Sequence, residues 1–270
     1  MYLKPFAGPH GRFPYHYDKA ANSVNPRVSY IICCTPRTGS TLLCEALTET
    51  GLCGIPSEHF GRDNARCEIQ KSRTKDARMF LRGVFERGTT SNGVFGLKLQ
   101  MKADFFTSVI EMLRTASSYS ASNIPSAQIL HETFPNLHYI WLTRRDKVRQ
   151  AVSWWKAIQT GVWNQRHYSN VQPLVQVPTF SFEKIDEYIQ KIMVREAAWE
   201  NHFTGGGISP LTIVYEDFAR SYQVVIKQVM EFLEIDPLLS SAFLPPPLTK
   251  QADTTSEEWV KKYLAQKQGA

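Results

Sequence analysis

The chain has 270 residues, 43% of them hydrophobic, and a formal net charge of +6. That suits one well-filled α/β domain, and its scattered Lys and Arg form no nucleic-acid patch, so nucleic acid is excluded as a partner. Five cysteines without C-x-x-C spacing argue against a disulfide framework or a metal site, and no signal core or apolar run of about 18 residues is present, so a cytoplasmic protein without a membrane span is expected.

Residues 1–27 are rich in Gly, Pro, His and Tyr and read as an extended arm without its own core. Residues 28–270 read as a single domain. Its first element is YIICCTPRTGSTLL, Tyr30–Leu43: an apolar strand, a short loop at Thr35–Gly39, then hydroxyl residues opening an amphipathic helix. Backbone N–H groups and the positive end of a helix dipole converge in such an arrangement, which makes it an anion cradle. Arg37 adds a planar fork of donors, and Ser40 and Thr41 add hydroxyls. A triphosphate loop would read G-x-x-x-x-G-K-[ST]. Here Cys34 replaces the first Gly and Ser40 replaces the Lys, so the loop is P-loop-like but poorly equipped for ATP.

A helix end is expected at Gly51, and Pro56 then forces Ser57-Glu58-His59-Phe60 out of a turn. Glu58 and His59 compete as general base, and this segment needs tertiary help to reach the strand ends where a ligand would lie. A helix is expected from Asp76 to Glu86 and a strand over 94–101, with Lys98 inside it. A Lys there lies at a sheet edge or aims into the crevice; the crevice is the preferred placement, where an ammonium suits a leaving oxygen. Another helix covers 104–116, and Ser117–Ser126 is a polar loop.

The strand LHYIWLT (137–143) runs into RRDKVRQAVSWWKAIQTGVW, with Asp146 as a natural N-cap. Ser153 lies ~10 Å along that helix, so an arginine at the strand end and this serine can share one phosphate. Strand placement selects Arg144, with its neighbour Arg145 the alternative. Trp154, Trp155 and Trp163 are either core or a sugar platform. Residues 164–180 form a loop, a long helix runs from Ser181 to about Phe203 and stops at TGGG, and LTIVYEDF (211–218) reads as a strand entering an acidic turn. A helix over 221–234 and a last one from Ser256 to Leu264 complete the chain.

TPRTGSTL, TRRDKVRQAVSWWKA and VYEDF together resemble sulfotransferases that use 3′-phosphoadenosine 5′-phosphosulfate (PAPS). More narrowly, STLLCEALTETG, NGVFGLKLQM, QAVSWWKAIQTGVW and KQADTTSEEWVKKY, in this order, resemble the mycobacterial trehalose 2-sulfotransferase family. The resemblance implies a P-loop-type three-layer α/β/α fold with a central parallel sheet, and sulfuryl transfer from PAPS to a hydroxyl without a metal. Pro36, Arg37, Thr38, Gly39, Ser40 and Thr41 would cradle the 5′-phosphosulfate. Arg144 and Ser153 would hold the 3′-phosphate, with Lys250 and Gln251 in a loop closing over the nucleotide. Glu58 would be the base, with Arg37 and Lys98 as electrostatic stabilisers. The acceptor would lie among Glu58, His59, Trp155, Gln159 and Trp163, and a homodimer is implied. Ile55 and Gly161 replace an acidic and a basic residue of the family pattern. A carbohydrate or glycolipid hydroxyl, rather than trehalose itself, is therefore the expected acceptor. The competing readings are a P-loop kinase of a small metabolite and a non-catalytic nucleotide- or glycan-binding protein.

Overall fold

Four short apolar runs, none longer than seven residues, pair side by side in the computed structural model, which describes residues 26–61, 77–117, 123–163, 177–239 and 253–269. Strands β1 (Val28–Cys34), β2 (Val94–Gln100), β3 (Leu137–Thr143) and β4 (Leu211–Val214) form one parallel sheet in the order β2-β1-β3-β4. The register sets Val28 beside Val94, Ser29 beside Leu137 and Ile140 beside Leu211. Every residue of β1 is buried, as a central strand covered on both faces requires.

The period of two along β1 divides the core. Ile31 and Cys33 face a cluster built from β2, α3 (Ala103–Ala116), α4 (Ser126–Thr133) and the Trp199–Phe203 end of α6 (Phe182–Gly206). Tyr30, Ile32 and Cys34 face the opposite cluster, with α1 (Ser40–Glu49) and α8 (Tyr222–Phe232). Helices therefore cover both faces of the sheet, giving the expected α/β/α layers. A third cluster joins α5 (Lys147–Thr160), α6 and α9 (Thr254–Gln268) beyond the carboxyl end of β3. There the Asp146 carboxylate caps α5 by accepting from the Arg149 N–H at 2.8 Å, as its position predicts.

Three expectations change. LTIVYEDF is strand only to Val214; Tyr215–Arg220 is a short helix, α7, because Glu216 turns back to accept from the Arg145 and Asp146 N–H groups. The glycines at 205 and 206 remain helical, and α6 ends at Gly207 with φ 61. Residues 126–133 form a helix that the polar-loop reading did not anticipate, anchored by buried Ala127, Ile129 and Leu130. Helix α2 (Ala77–Gly88) starts where the pattern put it. The expected arm lies almost entirely outside the described residues, as do Lys250 and Gln251.

Candidate active site

The cradle forms at the carboxyl end of β1. Arg37 (φ 68) and Gly39 (φ 83) both adopt left-handed backbone, reversing the chain within five residues before Ser40 opens α1. Gly39 is required twice over, since a Cβ there would lie 2.5 Å from the Tyr215 ring. Thr38 is fully buried, and its hydroxyl donates to the Thr35 carbonyl at 3.0 Å. Pro36 and Ser40 are also buried, whereas Thr41 is partly exposed.

Helix α5 grips this loop from the side. Gln150, fully buried, donates from Nε2 to Thr35 Oγ1 at 2.9 Å and to the Pro36 carbonyl at 2.8 Å. One turn further, Ser153 Oγ accepts from Arg37 Nε at 2.9 Å. Arg37 also donates to the Trp163 carbonyl just beyond α5.

The adjacent arginines after β3 part company. Arg144 turns inward: it donates to the Arg37 carbonyl at 3.3 Å, lies over the Tyr215 ring at 4.7 Å, and has Nε 3.6 Å from Glu216. Arg145 turns outward to an exposed ion pair with Asp217. Burial first, and then the charge of Arg144, push the Arg37 pKa down to about 10. Burial likewise lowers that of Arg144, against the opposing pull of Tyr215 and Glu216. Both stay cationic at neutral pH, so two partly desolvated guanidiniums lie near enough to repel each other, and that of Arg37 sits on the Ser153 hydroxyl. An anion between them would relieve that repulsion.

The second half of the site comes from β2. The outer edge of β2 carries the Pro56 turn with it: Lys98 N–H donates to Ser57 O at 2.9 Å, and Ser57 bridges to Leu97. This is the tertiary help that the 57–60 segment needs. Lys98 Nζ then sits 3.1 Å from Glu58 Oε1, both nearly buried, and Gln100 Nε2 donates to the same oxygen at 2.7 Å. Burial alone would lower the Lys98 pKa, but the Glu58 carboxylate outweighs it and the net shift is upward. Burial pushes the neighbouring thiols of Cys34 and Cys44 up to about 11 and 12, so they are neutral at pH 7. Cys34 also feels Ser40, Lys98 and Glu58, so the carboxylate–ammonium pair and the opening of α1 share one end of the sheet. Lys98 lies on β2, an edge strand of the sheet, with its ammonium paired to Glu58 rather than turned to solvent.

His59 has a framework role instead. Its Nε2 lies 2.8 Å from the Ile55 carbonyl, its ring packs against Phe95, and burial pushes its pKa down to about 4. Trp155 and Gln159 hold the segment before α6: both donate to Thr179 O at 3.0 Å, and Gln159 Oε1 accepts from the Thr179 N–H. Trp154 is core against Tyr188, while Trp163 remains exposed. Among the described residues no group of three or more His, Cys, Asp or Glu is placed to hold a metal ion.

Sequence reasoning missed Gln150, Tyr215 and Glu216. Gln150 was within reach, because it lies three residues before Ser153 on the same helical face. The roles of Tyr215 and Glu216 depend on the turn of α7, which the strand-like pattern concealed.

Comparison with known proteins accounts for this geometry. The model of a family described as Stf0 sulphotransferase matches residues 29–266. Trehalose 2-sulfotransferase of Mycobacterium tuberculosis is 29% identical over 262 residues, covering 88% of this chain and 94% of that protein. The Mycolicibacterium smegmatis trehalose 2-sulfotransferase is 28% identical over 260 residues, covering 87% and 94%. A solved sulfotransferase from Alicyclobacillus acidocaldarius aligns over 89% of this chain and 92% of its own, with 15% identity and a TM-score of 0.44.

Proposed function

The chain belongs to the Stf0 sulphotransferase family, and from that premise we propose that it moves a sulfuryl group from PAPS to a hydroxyl of a carbohydrate or glycolipid acceptor. It is a sulfotransferase and draws on a sulfate donor. The observation that supports PAPS as that donor is the cationic pair at the loop, with Arg37 on the Ser153 hydroxyl and Arg144 on the Arg37 carbonyl, which would serve as a second anion site next to the loop cradle. A donor with phosphate on both ends of one adenosine uses two such sites; ATP does not.

In this reading Arg144 and Ser153 hold the 3′-phosphate. The backbone and hydroxyls of residues 36–41 hold the 5′-phosphosulfate. The bound donor supplies the sulfuryl group and a phosphate leaving oxygen. Glu58, oriented by Lys98 and Gln100, takes the proton of the incoming hydroxyl. Lys98, desolvated yet held cationic by Glu58, faces the negative charge that develops on the leaving oxygen. When the carboxylate gains its proton the ammonium loses its partner, and its charge becomes more available to that oxygen. Arg37 contributes from the α5 side.

The relatives' names point to a sugar acceptor. Ile55 and Gly161 offer no polar side chain to one, which supports a glycoside or glycolipid hydroxyl over free trehalose. The test is incubation with PAPS and a panel of glycosides, glycolipids and trehalose, read by mass spectrometry. An added sulfate on one panel member is the expected result. Tighter binding of ATP with Mg²⁺ than of adenosine 3′,5′-bisphosphate by calorimetry would overturn the donor assignment.

A further inference from the structure

Gln150 is an unusual residue to find where it is. It is fully buried, where apolar side chains are the usual occupants, and its neighbours in α5, Ala151, Val152 and Trp154, are buried apolar residues. Its amide orientation is fixed chemically, because the Pro36 carbonyl can only accept and so must face Nε2. Both of its hydrogen bonds go to the loop, to Thr35 and Pro36, and its Oε1 is left buried without a partner. Buried polar atoms are almost always satisfied, so an orphaned acceptor marks a residue retained for what its other end holds.

One turn along the same face, Ser153 takes the next loop residue, Arg37. Three consecutive loop residues, Thr35, Pro36 and Arg37, are thus tied to a single turn of α5. That turn also carries one side of the second anion site. We infer that Gln150 is a positioning residue: it locks the loop to α5 and so fixes the separation between the loop cradle and the Arg144–Ser153 site. The inference rests on the two-phosphate reading above. In the enzyme, Gln150 makes the two ends of one nucleotide bind as a unit and places the transferring group relative to Glu58 and Lys98. It touches neither.

The test compares adenosine 3′,5′-bisphosphate with adenosine 3′-monophosphate by calorimetry on wild type, Gln150→Met and Thr35→Val. Met fills the same volume and cannot donate. Gln150→Met is expected to lose about tenfold in bisphosphate affinity, the equivalent of one hydrogen bond. Its affinity for the monophosphate should stay within about twofold, since Arg144 and Ser153 are untouched. Thr35→Val, which keeps the Pro36 contact, should show the same selective loss at about threefold. A merely structural role would lower both ligands together, and that result overturns the inference, as does unchanged bisphosphate affinity. If Gln150→Met does not fold, Thr35→Val decides by the same comparison. Wild type that binds no adenosine 3′,5′-bisphosphate overturns the two-phosphate reading and this inference with it. Wild-type binding with indifferent variants overturns the inference alone.

Discussion

Arg144 and Arg145 are neighbours in sequence with opposite fates, and the difference is measurable. Arg144 lies against the loop and Tyr215; Arg145 makes an exposed pair with Asp217. Arg144→Ala is expected to weaken adenosine 3′,5′-bisphosphate binding about 10- to 100-fold, the range for a buried charge-assisted contact. Arg145→Ala should stay within about threefold, because exposed ion pairs contribute little. Equal losses at the two positions in a calorimetric titration would sink the assignment. At Glu58 the expectation is a fall in turnover of about 100-fold or more for Glu58→Gln, with bisphosphate affinity nearly unchanged. Near wild-type turnover of that variant would remove Glu58 as the base. Gly39→Ala meets both a left-handed φ and the Tyr215 ring. It should cost about 1–3 kcal/mol in urea unfolding. These residues were legible early because their chemistry depends on neighbours in sequence: Arg37, Gly39, Ser40 and the strand-terminal arginine all sit where a strand ends.

At the scale of elements, the sheet's carboxyl edge is held by side chains that come from far along the chain. Trp199 on α6 is fully buried and donates from Nε1 to the Cys34 carbonyl at 3.1 Å, where β1 gives way to the loop. Trp199→Phe keeps most of the packing and removes the shorter of that carbonyl's two hydrogen bonds, the Met101 N–H at 3.3 Å remaining, so a loss of about 1 kcal/mol is expected from the urea midpoint. Unchanged stability would mean that the loop entry is held by other contacts. Helix α9 docks on α5 through Arg149, which bridges Asp146 and Glu257, and through Lys156 with Asp253. Asp253 also caps α9, and its carboxyl sits at about 2: burial opposes ionisation, and Lys156 with the Ser256 N–H overrides it. The pairs of Arg149 with Glu257 and of Lys156 with Asp253 could not be read from spacing. The helix at 126–133 escaped for a related reason: its three buried residues acquire a partner only when α3 and α6 pack beside it.

For the whole molecule, the buried histidines give the pH dependence its sign. Burial pushes His59 and His202 down to about 4, from an ordinary value of 6.5. Between those values the unfolded chain binds more protons than the folded one, so stability rises with pH there. Their contribution is complete above 6.5 and lost progressively as the pH falls towards 4. Each pKa unit is worth at most about 1.4 kcal/mol per group. Urea midpoints at pH 7.5 and 4.5 test this, and His202→Phe should flatten the difference; equal midpoints in wild type would contradict the burial of both rings.

The layered fold and the strand–loop–helix shape of the Thr35–Gly39 segment followed from sequence alone, because they rest on local rules: apolar runs, a left-handed Gly and a helix start. Choices between neighbours were left to the tertiary structure. Arg144 turns onto Tyr215 and the loop while Arg145 turns out to Asp217, a difference that no spacing rule gives. Glu58 and His59 were separated by how the Pro56 turn docks on β2, which pairs the carboxylate with Lys98 and turns the imidazole onto Phe95. Gln150 is the limiting case. Nothing about a glutamine in a helix announces a role, and only its burial against Thr35 and Pro36 supplies one. Local sequence fixes which groups can bind an anion, and packing over long sequence distance fixes which of them are aimed at it.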